Sequence, residues 1–167
     1  MVKTRSESKI LLVKWVVKPL MLMIELVPES SWSNNLRNIL GKDAWRKLRT
    51  KILKDAQYTC GICGQRSRFL HCHEKWVYDD ENHTQKLEGL IPLCKMCHAV
   101  KHIGFAKLQA DRGELDWEKM VEHFMKINGC NKKMFEKHHQ NAAKIWIERS
   151  KYQWEVIVGD IKLSEAL

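Results

Sequence analysis

Two Cys-x-x-Cys pairs constrain this chain more than any other feature: Cys60-Gly-Ile-Cys63 and Cys94-Lys-Met-Cys97. A disulfide inside so short a loop is strained, whereas two such turns complete a tetrahedral four-sulfur site for one zinc ion. The sequence therefore assigns Cys60, Cys63, Cys94 and Cys97 to a structural zinc. Gly61 and Gly64 suit the tight turn that aims thiolates inward. Zinc would tie the segment between the pairs into one closed loop and supply folding energy that a small unit lacks in its own core. Unpaired cysteines of this kind belong to a reducing compartment, so the expected location is the cytosol. Cys72 and Cys130 are left over and read as buried free thiols.

Histidines crowd the same stretch in excess of what four sulfurs require. His71-Cys72-His73-Glu74 lies between the pairs, and His98 and His102 follow the second pair. His98 and His102 are four apart on an expected helix and share one face, the spacing that offers two imidazoles to one cation. His71 and His73 are two apart on an expected strand and also share a face. A hairpin laid on the helix brings the two faces together.

Around this unit the chain reads as α+β. The apolar stretch Ile10–Val27 is interrupted by Lys14, Lys18, Pro19 and Glu25. It falls short of the roughly 20 uninterrupted residues of a membrane span and does not have the form of a signal peptide. It reads as two strands, 10–17 and 20–27, separated by Pro19. A loop follows with Trp32 as its anchor. Asp43 is the expected N-cap of a helix over 44–56. Strands are expected from Phe69 to Tyr78 and from Leu87 to Leu93, with a polar loop at 79–84. A helix then runs over 97–110, bent at Gly104. Further helices over 115–127 and 131–149 and a strand over 154–158 complete the pattern. The expected organisation is an N-terminal strand extension (1–42), a zinc-stapled core (43–110) and a C-terminal helical appendage (111–167).

The net charge is +9, and its whole excess lies early. Residues 1–70 carry 14 Lys/Arg against 5 Asp/Glu, whereas residues 71–167 carry 15 of each. A basic lobe beside a metal site suits a polyanionic partner such as nucleic acid. Arg46 and Arg49 on the early helix and Lys101 beside His102 are the candidate phosphate contacts.

The order C-x-x-C, His-bearing strand, then L-C-x-x-C-H-x-x-x-H resembles the HNH endonuclease family with its ββα-metal fold, in the branch whose cysteine pairs staple the motif. The likeness covers about residues 55–105. It implies a bacterial or phage-encoded enzyme that hydrolyses DNA phosphodiester bonds with one divalent ion, Mg²⁺, Mn²⁺, Ni²⁺ or Zn²⁺, held partly by His98 and His102. The strand admits two readings. In one, His73 is the general base, favoured because imidazole titrates near neutrality. In the other, His73 is a metal ligand and Glu74 the base. The chain departs from the family where Gly89 takes the place of the middle Asn, for which Asn82 is the substitute in view. A zinc-stapled nucleic-acid-binding module without catalysis is the alternative reading, and an interaction protein on the same zinc fold is the third.

Overall fold

A computed structural model describes residues 19–159. They form a mixed α+β structure built on a small three-stranded sheet. Strands β1 (His71–Asp79) and β2 (Thr84–Leu93) make an antiparallel hairpin. β3 (Glu155–Ile157) adds to the free edge of β2 in parallel. Helices α1 (Leu36–Leu40) and α2 (Lys42–Asp55) precede the hairpin. α3 (Lys95–Lys101), α4 (Ile103–Asp111), α5 (Trp117–Asn128) and α6 (Lys132–Arg149) follow it.

Each element follows local chemistry. Asn35, Asp116 and Asn131 cap α1, α5 and α6 by accepting the N–H three residues on, satisfying donors a helix start leaves free. Gly129, with φ 61°, ends α5 in the left-handed conformation that glycine tolerates best. The hairpin turn is held by Asp79, which accepts from the Glu81 and Asn82 backbones and the Asn82 amide. Asp80 receives two hydrogen bonds from Arg149 and so fastens the turn to α6.

Several expectations are corrected. Residues 20–27 form no strand, and the companion strand over 10–17 lies outside the described residues. The 20–27 stretch is instead an extended strap whose backbone is bound by side chains from elsewhere and, at the Glu25 N–H, by Lys101 O. Leu22 exchanges two hydrogen bonds with the Asn128 amide, and the Ile24 N–H donates to His138 Nε2. Its alternating Leu22 and Ile24 are buried, so the period-2 pattern reports a half-buried extended segment without a ladder partner. Asp43 does not cap α2: Gly41 occupies that position, and Asp43 pairs with Arg46 in the first turn. The expected bend at Gly104 falls at His102, where φ −104° and ψ 53° separate α3 from α4. Trp32 is no anchor, being 73% exposed.

The principal core gathers Leu22 and Ile24 of the strap, Leu53 of α2, Leu70 and Leu93 beside the knuckles, Val100 of α3 and Phe124 and Phe135 of the C-terminal helices. One hydrophobic body therefore draws on all three sequence stretches. A smaller cluster of Leu36, Leu48 and Leu87 seats α1 and α2 on the other face of the hairpin. Among the described residues no helix is long and apolar enough to cross a membrane.

Candidate metal centres

The first centre forms where two tight turns meet. The Gly61 N–H donates to Pro92 O, and the Cys60 N–H to Gln65 O, closing the first knuckle against the end of β2. Gly61 is there for proximity rather than for its φ. A Cβ at this position would lie 2.6 Å from Ile91 Cγ1. Gly64 does adopt a positive φ of 74°. Cys94 ends the second approach as the N-cap of α3, its sulfur accepting from the Cys97 N–H.

The four sulfurs lie within 4.8 Å of one another, with Cys63 and Cys94 3.6 Å apart. Sulfurs about 2.3 Å from a tetrahedral ion sit roughly 3.8 Å from each other, so the set could bind a structural metal such as zinc. Four thiols this close cannot hold protons independently. Hydrogen bonds from Cys94 and Cys97 hold the Cys60 thiol far below its usual range, while sharing with Cys60 pushes the Cys94 thiol up to about 11. Such a site favours a cation over protons. His123 of α5 places Nε2 3.1 Å from the Cys97 sulfur, an outer contact that no motif announced.

The second centre is made of histidines. His73 of β1, His98 of α3 and His102 at the α3–α4 junction bring a ring nitrogen each within 4.8 Å of the others. His73 Nδ1 and His102 Nε2 are 3.0 Å apart. Two nitrogens each about 2.0–2.1 Å from a shared ion are separated by roughly this distance. The helical spacing survives the break after α3 because the His102 N–H still donates to His98 O. Burial, aided by His102, presses the His98 pKa down to about 2, and burial aided by His73 takes His102 to about 4. Both rings are therefore neutral near pH 7, with lone pairs to offer. His71 does not join the triad. It stacks on His98 at 4.3 Å, with its ring exposed.

The electrostatic partner of the triad comes from the strap. Glu25 Oε2 lies 3.4 Å from His73 Nε2, and Glu25 Oε1 pairs with the Lys101 ammonium. Although burial opposes it, His73 and Lys101 together hold the Glu25 carboxyl below its ordinary range. A carboxylate behind an imidazole directs the N–H backward and the opposite lone pair forward, as behind a metal ligand. In the sequence, Glu25 reads only as an interruption of an apolar run. A lone acid in such a run was the available signal.

The remaining candidates separate. Glu74 points away from the triad's strand face, and its Oε1 accepts from the Leu36 N–H at 2.8 Å. Burial raises its pKa above the usual carboxylate value. Glu74 and the three histidines nevertheless line one cleft of about 860 Å³. Cys72 lines it too, its thiol pushed up to about 11 by burial. Arg46 is exposed, beside a shallow groove with Lys47, Lys51 and Lys54. Arg49 is half-buried and donates to Leu70 O at 2.7 Å, steadying the start of β1. Lys101 is corrected as a phosphate contact: it is 7% exposed and committed to Glu25. Asn82 cannot stand in for the motif Asn. Six positions along β1 separate Asp79, its partner, from His73, about 20 Å at strand rise. Gly89 pairs with Lys75 at a register shift, and nothing lies within 4 Å of where its Cβ would be.

No family model, curated protein or solved structure matches the chain.

Proposed function

We propose that the protein is a metal-dependent, HNH-type endonuclease acting on DNA, with His73, His98 and His102 as ligands of the catalytic ion and the four cysteines as ligands of zinc. The observation that carries this reading is the convergence of the three imidazoles, from a hairpin and a helix, immediately beside a four-cysteine cluster. The donor set suits a divalent ion: three imidazole nitrogens leave further positions for water and a phosphate oxygen. When bound, that ion would polarise the phosphoryl group and stabilise charge on the leaving 3′ oxygen.

The geometry supports His73 as a ligand. His73 is 5% exposed and both its ring nitrogens face partners, which suits a ligand backed by Glu25. Glu74 lines the same cleft with a raised pKa and is the remaining candidate for the base that takes the proton of an attacking water, a role that requires its carboxylate to leave the Leu36 N–H and turn toward the ion. The water oxygen bonds to phosphorus as the bond to the 3′ oxygen breaks, the leaving oxygen takes a proton from solvent, and the products are a 5′-phosphate and a 3′-hydroxyl. The exposed basic strip of α2, with Arg46 and Lys47, lends the backbone its counter-charge.

The test pairs calorimetric titration of Mn²⁺ or Ni²⁺ with a plasmid-nicking assay. His73→Ala should lose both metal binding and cleavage. Glu74→Gln should keep the metal and lose cleavage. A His73→Ala protein that binds metal normally but does not cut would return the base role to His73. Gly89 favours one second reading, a nucleic-acid-binding module without catalysis. DNA binding that weakens with salt, with no cleavage in Mg²⁺, Mn²⁺ or Ni²⁺, selects it.

A further inference from the structure

The cleft that the triad lines carries far more aromatic surface than a phosphate needs. Trp45 and Trp76 contribute half-buried walls, and Trp32 and Phe105 line it while remaining 73% and 55% exposed. Large rings held open to water beside a candidate reaction centre are a cost unless something stacks on them. The volume of about 860 Å³ falls among small-ligand sites of about 300–1,000 Å³. A cleft of that size has room for a single base with its sugar. Polar groups stand among the rings: Glu74 and Arg37 line the same cleft.

We propose that this cleft admits one unpaired nucleotide of a nucleic-acid strand, with its base stacked on the aromatic walls of Trp32 and Phe105 and its phosphate at the histidine triad. The inference rests on the nuclease reading and narrows it to strands with an unpaired or extruded nucleotide at the cut. Two features select this occupant over an apolar peptide. The cleft is continuous with the three imidazoles that would face a phosphate, and the exposed basic strip of α2 offers a strand its counter-charge. Stacking on aromatic rings holds any base, because every base has a π face. Extruding a base from a duplex costs energy that an already unpaired base does not. Affinity should therefore depend on pairing more than on sequence.

The probe is a short DNA carrying 2-aminopurine, either fully paired or as a single unpaired base in an otherwise identical duplex. It is titrated into the zinc-loaded protein without the catalytic ion. The unpaired probe should bind about tenfold more tightly or better, with quenched fluorescence as the base stacks. Trp32→Ala and Phe105→Ala should each erase most of that difference and leave the paired probe's affinity unchanged. Trp32→Phe should restore part of it. Both side chains are exposed, so thermal unfolding of the variants should match the wild type and separate lost stacking from lost fold. Equal affinity for the two probes, or variants that keep the full preference, overturns the inference and leaves a nuclease that cuts paired DNA intact. Failure to bind either probe overturns the inference together with the nuclease reading.

Discussion

Replacing Glu25 by Gln tests how the strap and the triad are coupled. The carboxylate faces two groups at once, His73 Nε2 at 3.4 Å and the Lys101 ammonium. The Lys101 side chain is only 9% exposed and that of Glu25 is 32% exposed. Glu25→Gln thus leaves a nearly buried cation without its counter-charge, a change that costs about 3–5 kcal/mol in a buried pair. Partial exposure of Glu25 places the expected loss near the lower figure. Lys101→Met leaves the opposite orphan, a carboxylate that water can still reach and His73 can still meet, and should cost only about 1–2 kcal/mol. The double variant Glu25→Gln/Lys101→Met should recover much of the Glu25→Gln loss. Metal binding should follow a different order. Removing a carboxylate behind a ligating imidazole typically weakens the ion about 10–100-fold, so Glu25→Gln should lose that much affinity and Lys101→Met almost none. Urea unfolding of the zinc-loaded proteins reads the first quantity, and calorimetric titration of Ni²⁺ with the cysteine site filled reads the second. Equal destabilisation by the two single variants would refute the burial argument. A Glu25→Gln protein within twofold of wild-type metal affinity would refute the role of Glu25 behind His73.

Cys60→Ser should release zinc and abolish cooperative unfolding, because the binding energy of a structural zinc, about 10–16 kcal/mol in small domains, is folding energy. A metal-free variant with a sharp, wild-type-like transition would contradict this. Gly61→Ala should cost about 1–3 kcal/mol by driving a methyl against Ile91 Cγ1 and Cδ1. Because Ile91 pairs with His73 across the hairpin, it should also weaken the triad's ion, and Ile91→Ala should relieve both effects if the contact is the cause. His138 accepts from the Ile24 N–H and must be unprotonated to do so; burial lowers its pKa below the usual value of about 6.5. Below that value the unfolded chain binds the proton more readily than the fold does. The stabilisation is therefore complete above about pH 6.5 and is lost as pH falls toward the folded pKa. His138→Gln keeps an acceptor that does not titrate, so its melting temperature should fall less between pH 7 and 5 than the wild type's. Parallel profiles would show that this hydrogen bond is not the titrating contact.

Some of this protein was legible in residue spacing alone. The cysteine pairs named their own cluster, because two sulfurs three residues apart turn inward on any tight backbone turn. The hairpin and the helices α2, α5 and α6 were legible within a few residues, since their apolar periods are set by local backbone geometry. The i, i+4 spacing of His98 and His102 likewise predicted their shared direction, and the intrahelical hydrogen bond between them preserves it. What spacing could not supply was anything that depends on two distant segments meeting. The 20–27 stretch has the alternation of a strand, yet it pairs with no strand: Leu22 and Ile24 bond to Asn128 and His138, more than a hundred residues away, and the Glu25 N–H donates to Lys101 O. Lys101 reads as a surface cation beside a ligand, but the packing of α3 under the strap buries it against Glu25. Glu25 reads as a flaw in an apolar run, and only the folded chain puts its carboxylate behind His73. His73 itself had two readings on the strand. Its burial and the two partners of its ring come from three separate segments, and charge and solvent access at a side chain are properties of that assembled surrounding, not of its neighbours in sequence.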